Sequence, residues 1–231
     1  MAKSLVVVGA GPGLGLGIAR TFGRRGFRVG LVARSQDKLD HMVGELGGQG
    51  VAVTSATADL RDSDGLVAGL DAIRQELGPI DVVEYSPSPS GDITSAVETT
   101  PSSAADQFDL HVKGAITTVR AVLPEMRARG DGAILLTTGV SSLVAAPFLG
   151  NVGLAMAGLR NWALGLHAEL GGTGVFVGTV TIASGVVPGD AEADPDAIGA
   201  RYYQMYERRE RPEEVVGDVD AFRRIVAGRR A

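Results

Sequence analysis

The chain of 231 residues contains no cysteine, which excludes disulfides, a thiol nucleophile and thiolate metal sites and fits a reducing compartment. It also lacks a surplus of positive charge. Lys and Arg total 22 against 27 Asp and Glu, a net charge of −5, and the pI is near 5.2. Phosphate binding needs a basic face, so nucleic acid is not an expected partner. Histidine is scarce, at 3 residues, and no metal-ligand cluster or Ser/His/Asp spacing stands out. No uninterrupted apolar run reaches the length that spans a bilayer. The opening "MAKSLVVVGAGPGLGLGIAR" starts like a secretion signal, but glycines and a proline cut its apolar run before an amphipathic segment begins. These absences lead to the expectation of a soluble cytoplasmic protein whose partner is a small-molecule substrate or ligand.

What is present is ordinary for a globular domain: 45% hydrophobic and 21% charged residues, enough for one full core over 1–231. The 33 glycines show no collagen-like period, which points to tight turns and close helix contacts. Apolar runs of strand length at 4–10, 27–33, 51–57, 80–86, 132–138 and 174–182 alternate with helix-period stretches near 13–25, 36–47, 62–77, 102–129 and 151–171. Near-continuous hydrophobic strands separated by helices predict an α/β fold, a doubly wound parallel sheet of Rossmann type with helices on both faces. After about residue 184 the character changes. A loop-like "SGVVPGDAEADPDA" precedes "IGARYYQMYERRERPEE", and the segment 184–214 reads either as a substrate lid or as a solvated surface helix.

"VVVGAGPGLGLGIAR" (6–20) places glycines where a strand hands over to a helix, so that the backbone can approach a diphosphate at the helix N-terminus. The pattern G-x-G-x-x-G fails in every frame. G-x-x-x-G-x-G fits Gly9, Gly13 and Gly15, with the first glycine directly after the strand. A flavoprotein is the rival reading of "VVVGAGPG", but it wants an acidic residue at the end of the second strand. That strand ends with Ala33 and Arg34, and an arginine there suits the 2′-phosphate of NADP(H).

With these residues in place, the chain resembles the short-chain dehydrogenase/reductase family from residue 4 to about 182. Gly9, Gly13 and Gly15 match the family's T-G-x-x-x-G-x-G, with Val8 at the threonine. "ADL" (58–60) matches its adenine-contacting pair, which implicates Asp59 and Leu60. The stretch that is normally N-N-A-G reads Tyr85-Ser86-Pro87-Ser88, a departure in all four residues that still offers small side chains for the nicotinamide ribose. The resemblance thus implies NADP(H) held by Gly9, Gly13, Leu14, Gly15, Arg34, Ser35, Asp59, Leu60, Ser86 and Pro87. It also implies a homodimer or homotetramer built on the helices at 102–129 and 151–171.

The family's chemistry needs a tyrosine that exchanges the substrate proton and a lysine four residues on that lowers its pKa. A serine polarises the substrate oxygen, and an asparagine holds a relay water. The matching positions here are Val152, Met156, Gly139 and His111. All four are replaced. The lysines are Lys3, Lys38 and Lys113 and the tyrosines Tyr85, Tyr202, Tyr203 and Tyr206, so Y-x-x-x-K is absent in any register. Val152, Met156, Leu159, Ala163, Leu166 and Leu170 instead form one apolar helical stripe. Small residues Ala155, Ala157 and Gly158 would admit a partner helix, and Arg160 reads as a surface or interface cation. Candidate replacement groups are His111, which titrates in a useful range, and Ser141 beside the vacated serine. Tyr85, where the cofactor should pass, and Tyr202 and Tyr203, in the expected lid, complete the set. Two classes of function follow: an NADP(H)-dependent oxidoreductase with a non-standard proton donor, or a cofactor-binding sensor, partner subunit or non-redox enzyme.

Overall fold

The computed structural model describes residues 2–229; residues 1, 230 and 231, inside the domain expected over 1–231, lie outside the described residues. Seven parallel strands form one sheet in the order β3-β2-β1-β4-β5-β6-β7. They are β1 (Ser4–Val8), β2 (Arg28–Ala33), β3 (Val53–Thr57), β4 (Val82–Tyr85), β5 (Gly132–Gly139), β6 (Val175–Ile182) and β7 (Glu213–Val216). Every residue of β1 and β4 is buried, as expected of strands covered on both faces. The short β7, sequence EEVV, has no continuous apolar run and is a strand the hydrophobic pattern does not reveal.

Helices α1 (Leu14–Gly23), α2 (Gln36–Gly48) and α3 (Ser63–Leu77) follow the first three strands. Ser35 caps α2 by accepting from the Lys38 amide, and Asp62 caps α3 by accepting from the Asp64 amide. The helix expected over 102–129 is three pieces: α4 (Pro101–Phe108), a π-turn at Asp109–Lys113 and α5 (Gly114–Arg129). A π-turn widens the backbone by one residue. It frees the Leu110 carbonyl, which accepts the Tyr85 hydroxyl. A Cβ at Gly114 would lie 2.8 Å from the Leu60 carbonyl oxygen, so glycine is required where the helix resumes. The remaining helices are α6 (Gly150–Glu169), α7 (Pro195–Arg208) and α8 (Val219–Gly228).

The core has two halves. Val83, Tyr85, Leu110 and Leu159 belong to the half under α3, α5 and α6, whereas Val7, Phe22, Leu39, Ile198 and Tyr202 pack between the sheet and α1, α2 and α7. This corrects both readings of 184–214. Helix α7 is a core helix locked onto α1. A Cβ at Gly199 would meet the Gly17 carbonyl oxygen at 2.7 Å, and Arg20 of α1 pairs with Asp196. Tyr202 is fully buried, and Tyr203 packs edge-on against Phe22 at 5.1 Å, so neither phenol belongs to a lid. Residues 213–216 extend the sheet as β7, and only the loop before α7 reaches the cleft.

Candidate active site

The cleft opens at the C-terminal edge of the sheet, where β1 and β4 lie side by side and the chain direction of the crossovers reverses. Its outer and inner halves share Gly9, Gly11, Pro12, Pro87 and Ser88. The turn after β1 is held by the Gly9 and Ala10 amides, each donating to the Val32 carbonyl at 2.9 Å. Gly9 has φ +86°, and a Cβ there would stand 2.6 Å from the Pro87 nitrogen. Only glycine lets the two strand ends close together at this point. Helix α1 then starts from Gly13 with no side-chain cap; the Leu16 amide donates to the Gly11 carbonyl at 2.9 Å, which leaves the Leu14 and Gly15 amides to face an anion.

Arg34, Ser35, Lys38, Leu60 and Ser90 line the outer half, of about 240 Å³. Arg34 and Lys38 are exposed, and among the described residues no carboxylate lines this half. Lys38, in the first turn of α2, is a second cation that no motif in the sequence marks. Asp59 does not line the cleft; it is exposed and accepts from the Arg61 amide at 3.0 Å. Its neighbour Leu60 does line it.

The inner half encloses about 440 Å³. Gly13, Leu14, Gly15, Ser86, Pro87, Gly139, Ser141, Val152 and Met156 all line it. Three of the four vacated positions are therefore brought together in one wall, and that wall is apolar. Leu149, Ile93 and Val186 add to it from three separate segments. The loop bearing Ile93 is tied to α6 by Asn151, whose Oδ1 accepts the Thr94 amide at 3.0 Å and whose Nδ2 donates to the Asp92 carbonyl at 2.8 Å. The α6 stripe is buried apart from the half-buried Leu166, with Val152 and Met156 at its cleft end. Ala155 is buried and Gly158 faces the Phe108 ring, so of the three small residues only Ala157 is exposed. Arg160 is not free; its Nε and an η-nitrogen each donate at 2.6 Å to the two carboxylate oxygens of Glu213 on β7.

The other candidate donors fare differently. Tyr85 is fully buried, bonded to Leu110, and burial raises its phenol above the ordinary range. It lines neither half of the cleft, because alternate residues of a strand face opposite sides. His111, in the π-turn, is 1% exposed and also lines neither half. Burial, with the Arg61 guanidinium acting in the same direction, lowers it to about 4, so the imidazole is neutral at pH 7. Ser141 remains in the wall, as does Thr138, which shares a 2.7 Å hydrogen bond with Thr181.

One functional group in this region escaped the sequence reading. Glu84 on β4 is completely buried, and no salt bridge to it is found among the described residues. The Ser86 hydroxyl donates to its Oε2 at 2.8 Å and the Thr137 hydroxyl to its Oε1 at 2.6 Å. Burial pushes the carboxyl up to about 8, against those two bonds. Both hydroxyl residues line the inner half. The signal was available: a carboxylate in the apolar run "IDVVEYS", on a central strand, has nowhere to go but the interior.

Known proteins share this architecture. The family model described as short chain dehydrogenase matches residues 3–195. Oxidoreductase asL5 of Sarocladium schorii is 30% identical over 226 residues, 95% of this chain and 87% of that protein. A short-chain dehydrogenase structure from Rhodopseudomonas palustris superposes with a TM-score of 0.83 at 24% identity, covering 94% of this chain and 98% of that one. An NADPH-bound short chain oxidoreductase from Pseudomonas aeruginosa PAO1, described as containing an atypical catalytic center, gives 0.82 at 21%, covering 93% and 95%. Among the described residues no helix is long and apolar enough to cross a membrane. With a family match over most of its length and a parallel sheet to go with it, the chain belongs to the short-chain dehydrogenase/reductase family of oxidoreductases.

Proposed function

We propose that the cleft binds NADP(H) and that the protein is an oxidoreductase acting on a small, largely apolar carbonyl or alcohol compound without a tyrosine–lysine pair. The observation that carries this reading is the continuity of the cleft. A glycine turn with open helix amides joins a cationic outer half to an apolar inner chamber. The residues fit the cofactor. Gly9, Gly13, Leu14 and Gly15 would accept the diphosphate, and Arg34 and Lys38, with Ser35, would hold a 2′-phosphate through charge-assisted contacts. Leu60 would contact the adenine, and Ser86 and Pro87 the nicotinamide ribose; Asp59, turned to Arg61, contributes only through the backbone beside Leu60. Bound NADPH supplies the hydride.

The chain's own residues do the rest. Val152, Met156, Leu149 and Ile93 give the inner chamber its apolar walls, and Ser86, Thr137, Thr138 and Ser141 supply its polar contacts. The test is calorimetric titration with NADPH and NADH, followed by a screen of NADPH consumption with a carbonyl library. Tight, NADPH-selective binding with turnover of apolar ketones or aldehydes is expected. NADH preference, or no binding, overturns the assignment.

A second reading has its own observation: among the described residues no titratable side chain lines the inner half. A sensor or partner subunit that binds NADP(H) without hydride chemistry would bind the nucleotide tightly and consume it with no carbonyl. A cytoplasmic homodimer or homotetramer goes with either reading. Leu154 and Ala157 on the outer side of α6 are exposed, and light scattering decides the oligomeric state.

A further inference from the structure

We infer that Glu84 is the proton store of the inner chamber, a positioning residue that works through the Ser86 hydroxyl and takes over from the missing tyrosine–lysine pair. The inference rests on the oxidoreductase reading above and names the donor that reading leaves open.

The geometry assigns each group a different task. Glu84 leaves β4 on the side of the sheet that faces α1 and α7, since its neighbours Val83 and Tyr85 belong to the other half of the core. It is fully buried and sees no solvent itself. Its two oxygens are taken by Ser86 and Thr137, and both of these line the chamber. The two hydroxyls are not equivalent. Thr137 stands between Glu84 and the Tyr202 hydroxyl, 2.6 Å from each, so its bonds are spent on fixing the acid in place. Ser86 is half-buried, and Glu84 is its one side-chain partner among the described residues. With the acid protonated, the Glu84 Oε2–H donates to Ser86 Oγ across the same 2.8 Å, and this turns the Ser86 proton to the chamber.

Burial favours the neutral acid, and among the described residues no charged group beside Glu84 offsets it. Tyr202 faces it from α7, itself fully buried and raised well above its ordinary range, with the Glu214 carboxylate beyond. Strands β1 and β5 face it with Val7 and Leu135 and bring no charge. Helix α1 brings none either: its Arg20 is paired with Glu45 and Asp196. The carboxyl therefore holds its proton at pH 7, with a value of about 8.

The step balances. With hydride supplied to the carbonyl carbon by a bound reduced nicotinamide nucleotide, the carbonyl oxygen would take the Ser86 Oγ proton and Oγ would take the Glu84 proton. The products would be an alcohol, oxidised nucleotide and a Glu84 carboxylate, which is reprotonated from solvent through Ser86. A donor titrating near working pH suits both halves of this cycle.

The test begins without cofactor, with carbon-13 NMR titration of glutamate side-chain carboxyls. One resonance should titrate near pH 8 and be absent in Glu84→Gln. NADPH binding and NADPH consumption with cyclohexanone and benzaldehyde are then followed from pH 6 to 10. The wild type should lose turnover through a single ionisation near pH 8. Glu84→Gln should bind NADPH as the wild type does, lose about 10²- to 10⁴-fold in kcat and lose the pH step. Ser86→Ala should lose turnover similarly while keeping the NMR titration, so the inference stays testable if Glu84→Gln does not fold. A Glu84 that titrates in the ordinary carboxylate range overturns the inference. So does unchanged turnover and pH profile in both variants, which leaves the cofactor reading standing, and so does a wild type that binds NADPH but reduces neither probe. Failure of the wild type to bind NADPH overturns the cofactor reading, and the inference with it.

Discussion

Two buried groups pull the pH dependence of stability in opposite directions, and separating them tests the electrostatics of the site directly. Glu84 rises from 4.5 to about 8 on folding. Between those limits the folded state binds more protons than the unfolded state, so its contribution is complete below 4.5 and is lost as pH rises toward 8. His111 falls from 6.5 to about 4. Its contribution has the opposite sign: it is complete above 6.5 and is lost as pH falls toward 4. Each pH unit inside a window is worth about 1.4 kcal/mol. From 4.5 to 6.5 the two slopes cancel and stability is level with respect to this pair. From 6.5 to 8 Glu84 acts alone and removes roughly 2 kcal/mol.

Urea unfolding at half-unit pH intervals, compared between wild type and Glu84→Gln, isolates the effect because every other titration is common to both. The difference should be nearly constant above pH 8 and change by roughly 2 kcal/mol between pH 6.5 and 8. With the acid gone, the variant should gain stability from pH 4 to 6.5 as the remaining His111 slope emerges, by roughly 3 kcal/mol. His111→Asn should unmask the converse fall across the whole Glu84 window. Parallel wild-type and Glu84→Gln curves from pH 6.5 to 8 would refute the claim that this carboxyl is stored neutral.

Arg34→Ala should weaken NADPH by about 10- to 100-fold, the worth of a charge-assisted contact, and leave NADH nearly unchanged in calorimetry; Lys38→Ala should do the same to a smaller degree, and equal losses for both nucleotides would remove these cations from the 2′-phosphate. Gly9→Ala combines a φ of +86° with a Cβ 2.6 Å from the Pro87 nitrogen, so it should cost about 1–3 kcal/mol in thermal unfolding and abolish nucleotide binding. Restoring Gly139→Ser, Val152→Tyr and Met156→Lys together should be tolerated, because these positions line the cleft and the nearest atom to a new Cβ at 139 is Ser141 Oγ at 3.7 Å; NADPH binding with weak or no gain in ketone reduction is expected, and vigorous reduction would show that the vacated positions alone silence this site.

Much of the fold was legible because burial on both faces leaves a plain mark. Five of the seven strands are largely apolar and buried, β3 (VTSAT) at the sheet edge being only partly so, and the glycines at 9, 13 and 15 sit where β1 meets α1. The elements that were missed carry mixed signals. Strand β7 reads as polar because Glu213 and Glu214 answer Arg160 and Arg201 rather than the core. The tyrosines of α7 read as a lid because charge surrounds them, yet Gly17 and Gly199 let α7 approach α1 closely enough to bury Tyr202. Within the site, the absence of tyrosine, lysine and serine from their family positions could be read from the sequence alone. The fates of Tyr85 and His111 could not, since these depend on which side of a strand and of a π-turn each side chain leaves. Lys38 and Glu84 join the cleft through α2 and β4, whose positions relative to the glycine turn only the folded sheet supplies.

The vacated positions also constrain what can replace them. A phenol is a poor proton donor near neutral pH unless a cation lowers its pKa, and with methionine at 156 the inner half has no cation in its lining. Any tyrosine reaching this chamber would be pushed up, as burial already pushes Tyr85 and Tyr202. A carboxylic acid responds to the same apolar surroundings in the useful direction. Desolvation that disables a phenol brings a glutamate from 4.5 to about 8, close to the pH at which it must both give and regain a proton. The loss of the lysine and the apolar filling of its place thus disfavour one kind of acid and favour the other. This accounts for a buried carboxyl, bonded to two chamber hydroxyls, on the strand that ends where the family places its asparagine pair.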